Sequence, residues 1–130
     1  MLAEKLNLPV VIHTRDAMGD TIEILKKHNN YGVIHCFNGS IEVAKILIKL
    51  GYKLGIGGVV TFKNCNLSSV LKNLSLSDIV LETDSPYLTP EPFRGKVNSS
   101  KYIPVIAKKV AQIFNTDVSG VEDTTTLTAC

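Results

Sequence analysis

Four times along this chain a short apolar run passes into polar residues and then into a stretch with helical periodicity. Pro9-Val10-Val11-Ile12 closes in His13-Thr14-Arg15-Asp16, and Met18, Ile22 and Leu25 follow at i, i+4 and i+7. Gly32-Val33-Ile34 closes in His35-Cys36-Phe37-Asn38-Gly39. Ser40 then offers an N-cap for the stripe Val43, Ala44, Leu47 and Ile48, which Gly51 ends. Residues 52–61 read as a third strand, followed by a short helix over residues 67–74. Its glycines, Gly55, Gly57 and Gly58, are read as bending the strand or admitting a ligand close to the backbone. Ile79-Val80-Leu81 is the fourth apolar run. Beyond a loop carrying Pro86, Pro90 and Pro92, Ile103, Ile106, Ala107, Val110 and Phe114 form one helical face. A helical tail over residues 1–6 precedes the first unit, and a short helix is expected from about Ser119. This alternation predicts right-handed βα units, a parallel sheet and an α/β fold.

In parallel α/β folds ligands bind at the carboxyl ends of the strands. The chemistry-bearing residues fall there. His13 and His35 close the first two strands, and the fourth closes in Glu82 and Asp84, two apart and so on one face. Like charges that close need a cation or donors to meet them. Each residue alone has an ordinary reading: a hydrogen-bonded strand-end histidine, a capping aspartate before Pro86. Together, two imidazoles and a carboxylate at matching strand ends suit Zn²⁺, Mn²⁺ or Fe²⁺ better than Ca²⁺ or Mg²⁺ alone. Arg15 is two residues beyond His13 and reads either as a phosphate contact or as a partner of Asp16. Arg94 and Lys96 flank Gly95 and read as a phosphate cradle or as solubilising charge, with Lys63 a weaker parallel. Tyr87 and Phe93 read as base-stacking or core residues. His28 reads as a solvated cation at a helix end, and Cys36 as a core residue on the face opposite His35.

Composition excludes more than it identifies. A net charge of +2 over 130 residues carries no strong electrostatic signature of nucleic-acid binding. No apolar run approaches the ~20 residues of a membrane span, and the opening residues do not read as a secretory signal. Cys36, Cys65 and Cys130 are widely spaced and odd in number, which argues against a disulfide framework and for a reducing, cytoplasmic setting.

The blocks Pro9 to Ala17, Gly32 to Ser40, Gly55 to Phe62 and Leu81 to Leu88, with Arg94-Gly95-Lys96-Val97-Asn98 and Tyr102 after them, resemble the signature blocks of the TatD-type metal-dependent deoxyribonucleases. The resemblance implies an amidohydrolase-type (β/α)₈ barrel that cleaves phosphodiesters of DNA with up to two divalent metals (Zn, Mn or Mg). It implies that His13 and His35 ligate one metal and that Asp84 ligates the other and handles the proton of the attacking water; Arg15, Arg94 and Glu82 are the candidates for phosphate or substrate binding beside them. A metal-activated water and paired cations suit that chemistry. The family's opening His-x-His strand and its later bridging Glu strand have no counterpart here, since the histidines are His13, His28 and His35 alone. A (β/α)₈ barrel typically takes about 250 residues. Residues 1–130 are therefore expected to form a single partial domain, the last four strands and C-terminal half of the barrel.

Two other readings compete with a metal-dependent nuclease. One is a non-catalytic α/β module that self-associates or pairs with another barrel half, because an open half-barrel exposes sheet edges and interior side chains, expected here at Val11, Ile34 and Ile56. The other is a two-His-one-carboxylate iron enzyme.

Overall fold

A computed structural model describes residues 2–14, 16–63 and 65–129. After a short helix α1 (Leu2–Leu6), strands and helices alternate: β1 (Val10–Ile12), α2 (Met18–Leu25), β2 (Gly32–Ile34), α3 (Ile41–Lys49), β3 (Tyr52–Ile56), α4 (Leu67–Leu71) and β4 (Ile79–Leu81). Two helices, α5 (Ile103–Phe114) and α6 (Val118–Ala129), complete the chain. The strands form one parallel sheet in the order β1-β2-β3-β4. This is the α/β arrangement that the alternating pattern predicts.

Register sorts the strand residues into two faces. Val11 pairs with Val33, Val33 with Lys53, and Gly55 with Val80, so these five share one face. Ile34, Leu54, Ile56 and Ile79 lie on the other and are buried against Leu25, Ala44, Leu47, Leu71, Ile106 and Val110. Burying each such side chain contributes roughly 1.5–3 kcal/mol, and this helix-facing layer is the core. The expectation that Val11, Ile34 and Ile56 share the barrel-interior face is therefore corrected. Ile34 and Ile56 face the helices, while Val11 points the other way and is 65% exposed. The register places Val11 opposite Val33, and one residue of offset reverses the face.

Local chemistry explains most element boundaries. The Ser40 hydroxyl accepts from the Val43 N–H at 3.2 Å and starts α3. Pro104 sits in the first turn of α5, and Asn115 in the left-handed conformation ends it. The third strand stops at Ile56 rather than running to residue 61, because Gly58–Thr61 coils into a 3₁₀ turn, with the Thr61 hydroxyl donating to the Gly58 carbonyl at 2.7 Å. There Gly58 lies against the Leu88 carbonyl and Pro90, where a side chain would not fit. The α4 helix ends at Leu71, and the next turn tightens through Asn73 N–H to Val70 and Leu74 N–H to Leu71. At the other extreme, α6 is a full three turns, docked on α5 and β4 through Val121 and Thr125.

Candidate metal centre

Each of β1, β2 and β4 stops one residue short of a polar side chain, and the parallel register brings those side chains to one end of the sheet. His13 follows Ile12, His35 follows Ile34, and Glu82 follows Leu81. The His13 and His35 rings stack with centroids 4.0 Å apart and planes inclined by 29°. His35 is the hub: its Nδ1 lies 2.9 Å from Glu82 Oε2 and its Nε2 lies 3.1 Å from Asp84 Oδ1. Among the described residues, the close side-chain contacts of Glu82 and Asp84 with a basic group both fall on His35. His35 and Glu82 are mostly buried, whereas the Asp84 side chain is 38% exposed and faces the mouth.

The two carboxylates are held differently. Glu82 Oε1 accepts from the Cys36 backbone N–H, so both of its oxygens are engaged within the protein. The carboxylate lies over Gly55 of the intervening strand, where an added Cβ would overlap it. The glycine enrichment of β3 is explained at this position by a protein carboxylate rather than by a ligand. Burial raises the Glu82 pKa, an effect opposed by the Cys36 N–H and by His35.

Cys36 corrects a sequence expectation. Strand alternation places it on the core face, but β2 has already ended and Cys36 adopts φ +53°, which turns it toward the site. Its Sγ lies with ligating atoms of His35 and Glu82 within 4.8 Å of one another. Burial, then the charges of Glu82 and Asp84, push its thiol up to about 11. No sequence signal marks that left-handed turn, since cysteine is not a residue that favours it. His13, Thr14, His35, Cys36 and Asp84 line a concavity of about 410 Å³.

The remaining candidates lie elsewhere. Arg15 falls outside the described residues. The Arg94 guanidinium stacks 4.0 Å above the Phe62 ring and, with Lys63, Asn38 and Glu91, borders a separate concavity among the loops that follow β2, β3 and β4. Phe93 stacks on the buried Tyr102 at 4.8 Å, with the Lys96 ammonium 5.6 Å from its ring, while Tyr87 is exposed. His28 sits at the end of α2, 3.6 Å from Glu4, away from the cluster.

The donor types are those a divalent transition metal takes. Two stacked imidazoles and the Asp84 carboxylate line one concavity, while the described ligating atoms that lie within 4.8 Å of one another are those of His35, Cys36 and Glu82. His35 has one ring nitrogen held by Glu82 and the other turned toward Asp84. Imidazole and carboxylate donors delivered from the carboxyl ends of parallel strands are the arrangement of a metal site on an α/β barrel scaffold.

The family model described as TatD related DNase matches residues 1–130, and the chain belongs to that family. It is 43% identical over 116 residues to the uncharacterized metal-dependent hydrolase YabD of Bacillus subtilis (86% of this chain, 46% of that protein). It is 37% identical over 129 residues to the uncharacterized metal-dependent hydrolase YcfH of Escherichia coli (96% of this chain, 49% of that protein). The crystal structure of YjjV, a TatD homologue from Escherichia coli, superposes with a TM-score of 0.92 at 28% identity, over 98% of this chain and 50% of that one. The chain thus spans about half the length of the curated relatives it matches. Its four parallel βα units are the half-barrel arrangement implied by the resemblance.

Proposed function

We propose that this chain supplies one half of the active site of a metal-dependent hydrolase that cleaves phosphodiester bonds, with DNA as substrate. The observation that carries the reading is the convergence of His13, His35 and Asp84 on one concavity at the strand ends. Family membership and the naming of relatives as metal-dependent hydrolases support it. In this reading the ring nitrogens of His13 and His35 hold one Zn²⁺, Mn²⁺ or Mg²⁺ ion, and Asp84 serves a second. The bound cations supply Lewis acidity that makes water a nucleophile near neutral pH and offsets charge gathering on the phosphoryl oxygens.

The chain's own residues do the rest. Asp84, exposed at the mouth, accepts the proton of the attacking water on the carboxylate oxygen turned away from His35. Arg94 and Lys63, beyond Asn38 on the same loop side of the sheet, take the flanking phosphates of the strand. Arg15, two residues after His13 in the sequence, is a further candidate for a phosphate contact by residue type alone. Titration calorimetry with Mn²⁺ and Zn²⁺ tests the site. His13→Ala and His35→Ala are each expected to weaken binding at least tenfold, and unchanged affinity in both would remove it. An accompanying assay on duplex and single-stranded DNA tests the substrate, and cleavage of carboxylic or phosphate monoesters alone would redirect the assignment.

A further inference from the structure

Glu82 stands two residues before Asp84 and at first sight belongs with the groups that meet substrate. Its surroundings assign it differently. One oxygen lies 2.9 Å from His35 Nδ1, and the other accepts from the Cys36 N–H. The side chain is only 14% exposed, so neither oxygen is free to face a ligand. A substrate phosphate would also be repelled by a second anion at that point.

The path of this contact is informative. In the sheet, β2 and β4 are not neighbours, because β3 lies between them. The Glu82 side chain therefore reaches from the end of β4 across the middle strand to the end of β2. It crosses at Gly55, where any Cβ would collide with the carboxylate. A carboxylate bridge over a gap in the sheet, ending on a single imidazole nitrogen and the next backbone amide, fixes both the position and the proton of that imidazole. An anionic acceptor at Nδ1 retains the proton there. Asp84 Oδ1, 3.1 Å from Nε2, competes for that proton, but its contact is the longer and its side chain is 38% exposed against 14% for Glu82, so the buried carboxylate holds the proton at Nδ1 and leaves the lone pair on Nε2.

From this geometry we infer that Glu82 is a positioning residue: through the Gly55 gap it holds His35 as the Nδ1–H tautomer, with Nε2 free to ligate. Gly55 is the second half of the device. The inference rests on the metal-site reading above for its purpose, but its structural content, a fixed tautomer, stands on the chain alone.

The experiment uses the full chain with its histidines labelled with ¹⁵N. Long-range ¹H–¹⁵N spectra of the metal-free wild type, at a pH where the ring is neutral, report the tautomer where no substitution can disturb folding. His35 is expected as Nδ1–H, and an Nε2–H ring overturns the inference. Glu82→Ala is expected to give a tautomer mixture and to weaken Zn²⁺ and Mn²⁺ binding about 10- to 100-fold, the effect typical of losing a carboxylate behind a ligating histidine. Gly55→Ala keeps every charge but displaces the carboxylate, and it is expected to move both readouts in the same direction. If both variants melt lower yet retain the wild-type tautomer and affinity, Glu82 only ties the strands together and the inference fails. The two readings separate through His35→Ala. Lost binding there with unaltered Glu82→Ala removes the positioning role alone, whereas unaltered binding in His35→Ala removes the metal site itself.

Discussion

Cys36 shows how the same acidic surroundings act on a neighbouring group. Its thiol is half-buried beside Glu82 and Asp84, and burial followed by those two charges raises its pKa from the ordinary 9.0 to about 11. The thiolate is the nucleophile in alkylation, so the reaction rate follows its population. In metal-free protein, Cys36 is expected to alkylate slowly at neutral pH. Its rate should climb about tenfold per pH unit to roughly pH 10, read by mass spectrometry of iodoacetamide-treated samples. Glu82→Gln removes one of the raising charges and should speed the reaction at fixed pH. A rate already level by about pH 9 would show that the thiol is not held in the acidic cluster.

Between residue and molecule, two loop devices hold the strand ends in place. Gly58 opens the 3₁₀ turn after β3 and lies against the Leu88 carbonyl and Pro90 of the loop after β4. Gly58→Ala must push those backbones apart and is expected to lower stability by about 1–3 kcal/mol in urea denaturation, the usual cost of overpacking. Ser40→Ala removes the cap of α3 and should cost about 1 kcal/mol. Loss of under a few tenths of a kcal/mol from Gly58→Ala would mean that the two loops yield freely. These elements also show what a sequence reveals. The apolar runs of β1, β2 and β4, the Ser40 cap and the buried face of α5 were legible because each is a local pattern with a local cause. The end of β3 was not, because it depends on Gly58 meeting a loop about thirty residues later in the chain. The length of α6 was not either. Its threonine-rich sequence has little amphipathic pattern, and its order comes from docking on α5 and β4. At the site, the strand-end pattern brought His13, His35, Glu82 and Asp84 into view. The direction of Glu82 and the inward turn of Cys36 depend on the absent Cβ of Gly55 and on one left-handed residue.

At the scale of the whole molecule, the sheet has one face covered by helices and a second that is open toward β1, although Gly55 and Val80 at its other side are buried. Helices cover Ile34, Leu54, Ile56 and Ile79, whereas Val11 on the opposite face is 65% exposed and Val33 and Lys53 are only half-covered. Leu2, Leu6 and Leu8, which precede β1 in the chain, are exposed as well. Among the described residues β1 and β4 each pair on one side only, leaving backbone donors and acceptors for another strand. Exposed apolar side chains and unpaired strand edges favour association, and burying each of these side chains is worth roughly 1.5–3 kcal/mol. These 130 residues by themselves are therefore expected to run above monomer mass in light scattering. Charge at Val11 (Val11→Lys) should shift them toward monomer. Catalysis by the same 130 residues is expected to be weak for an independent reason. The two-metal mechanism clamps the attacking and leaving oxygens between paired cations. In the proposed site Asp84 alone among the described residues is assigned to the second cation, since that reading gives His13 and His35 to the first and His28 lies elsewhere. A cation's charge is worth several kcal/mol in the transition state, so cleavage of DNA in Mn²⁺ should fall several orders of magnitude below that of a family member of twice the length. A monodisperse monomer cutting DNA at the longer protein's rate would show that the open face is harmless and that His13, His35 and Asp84 suffice.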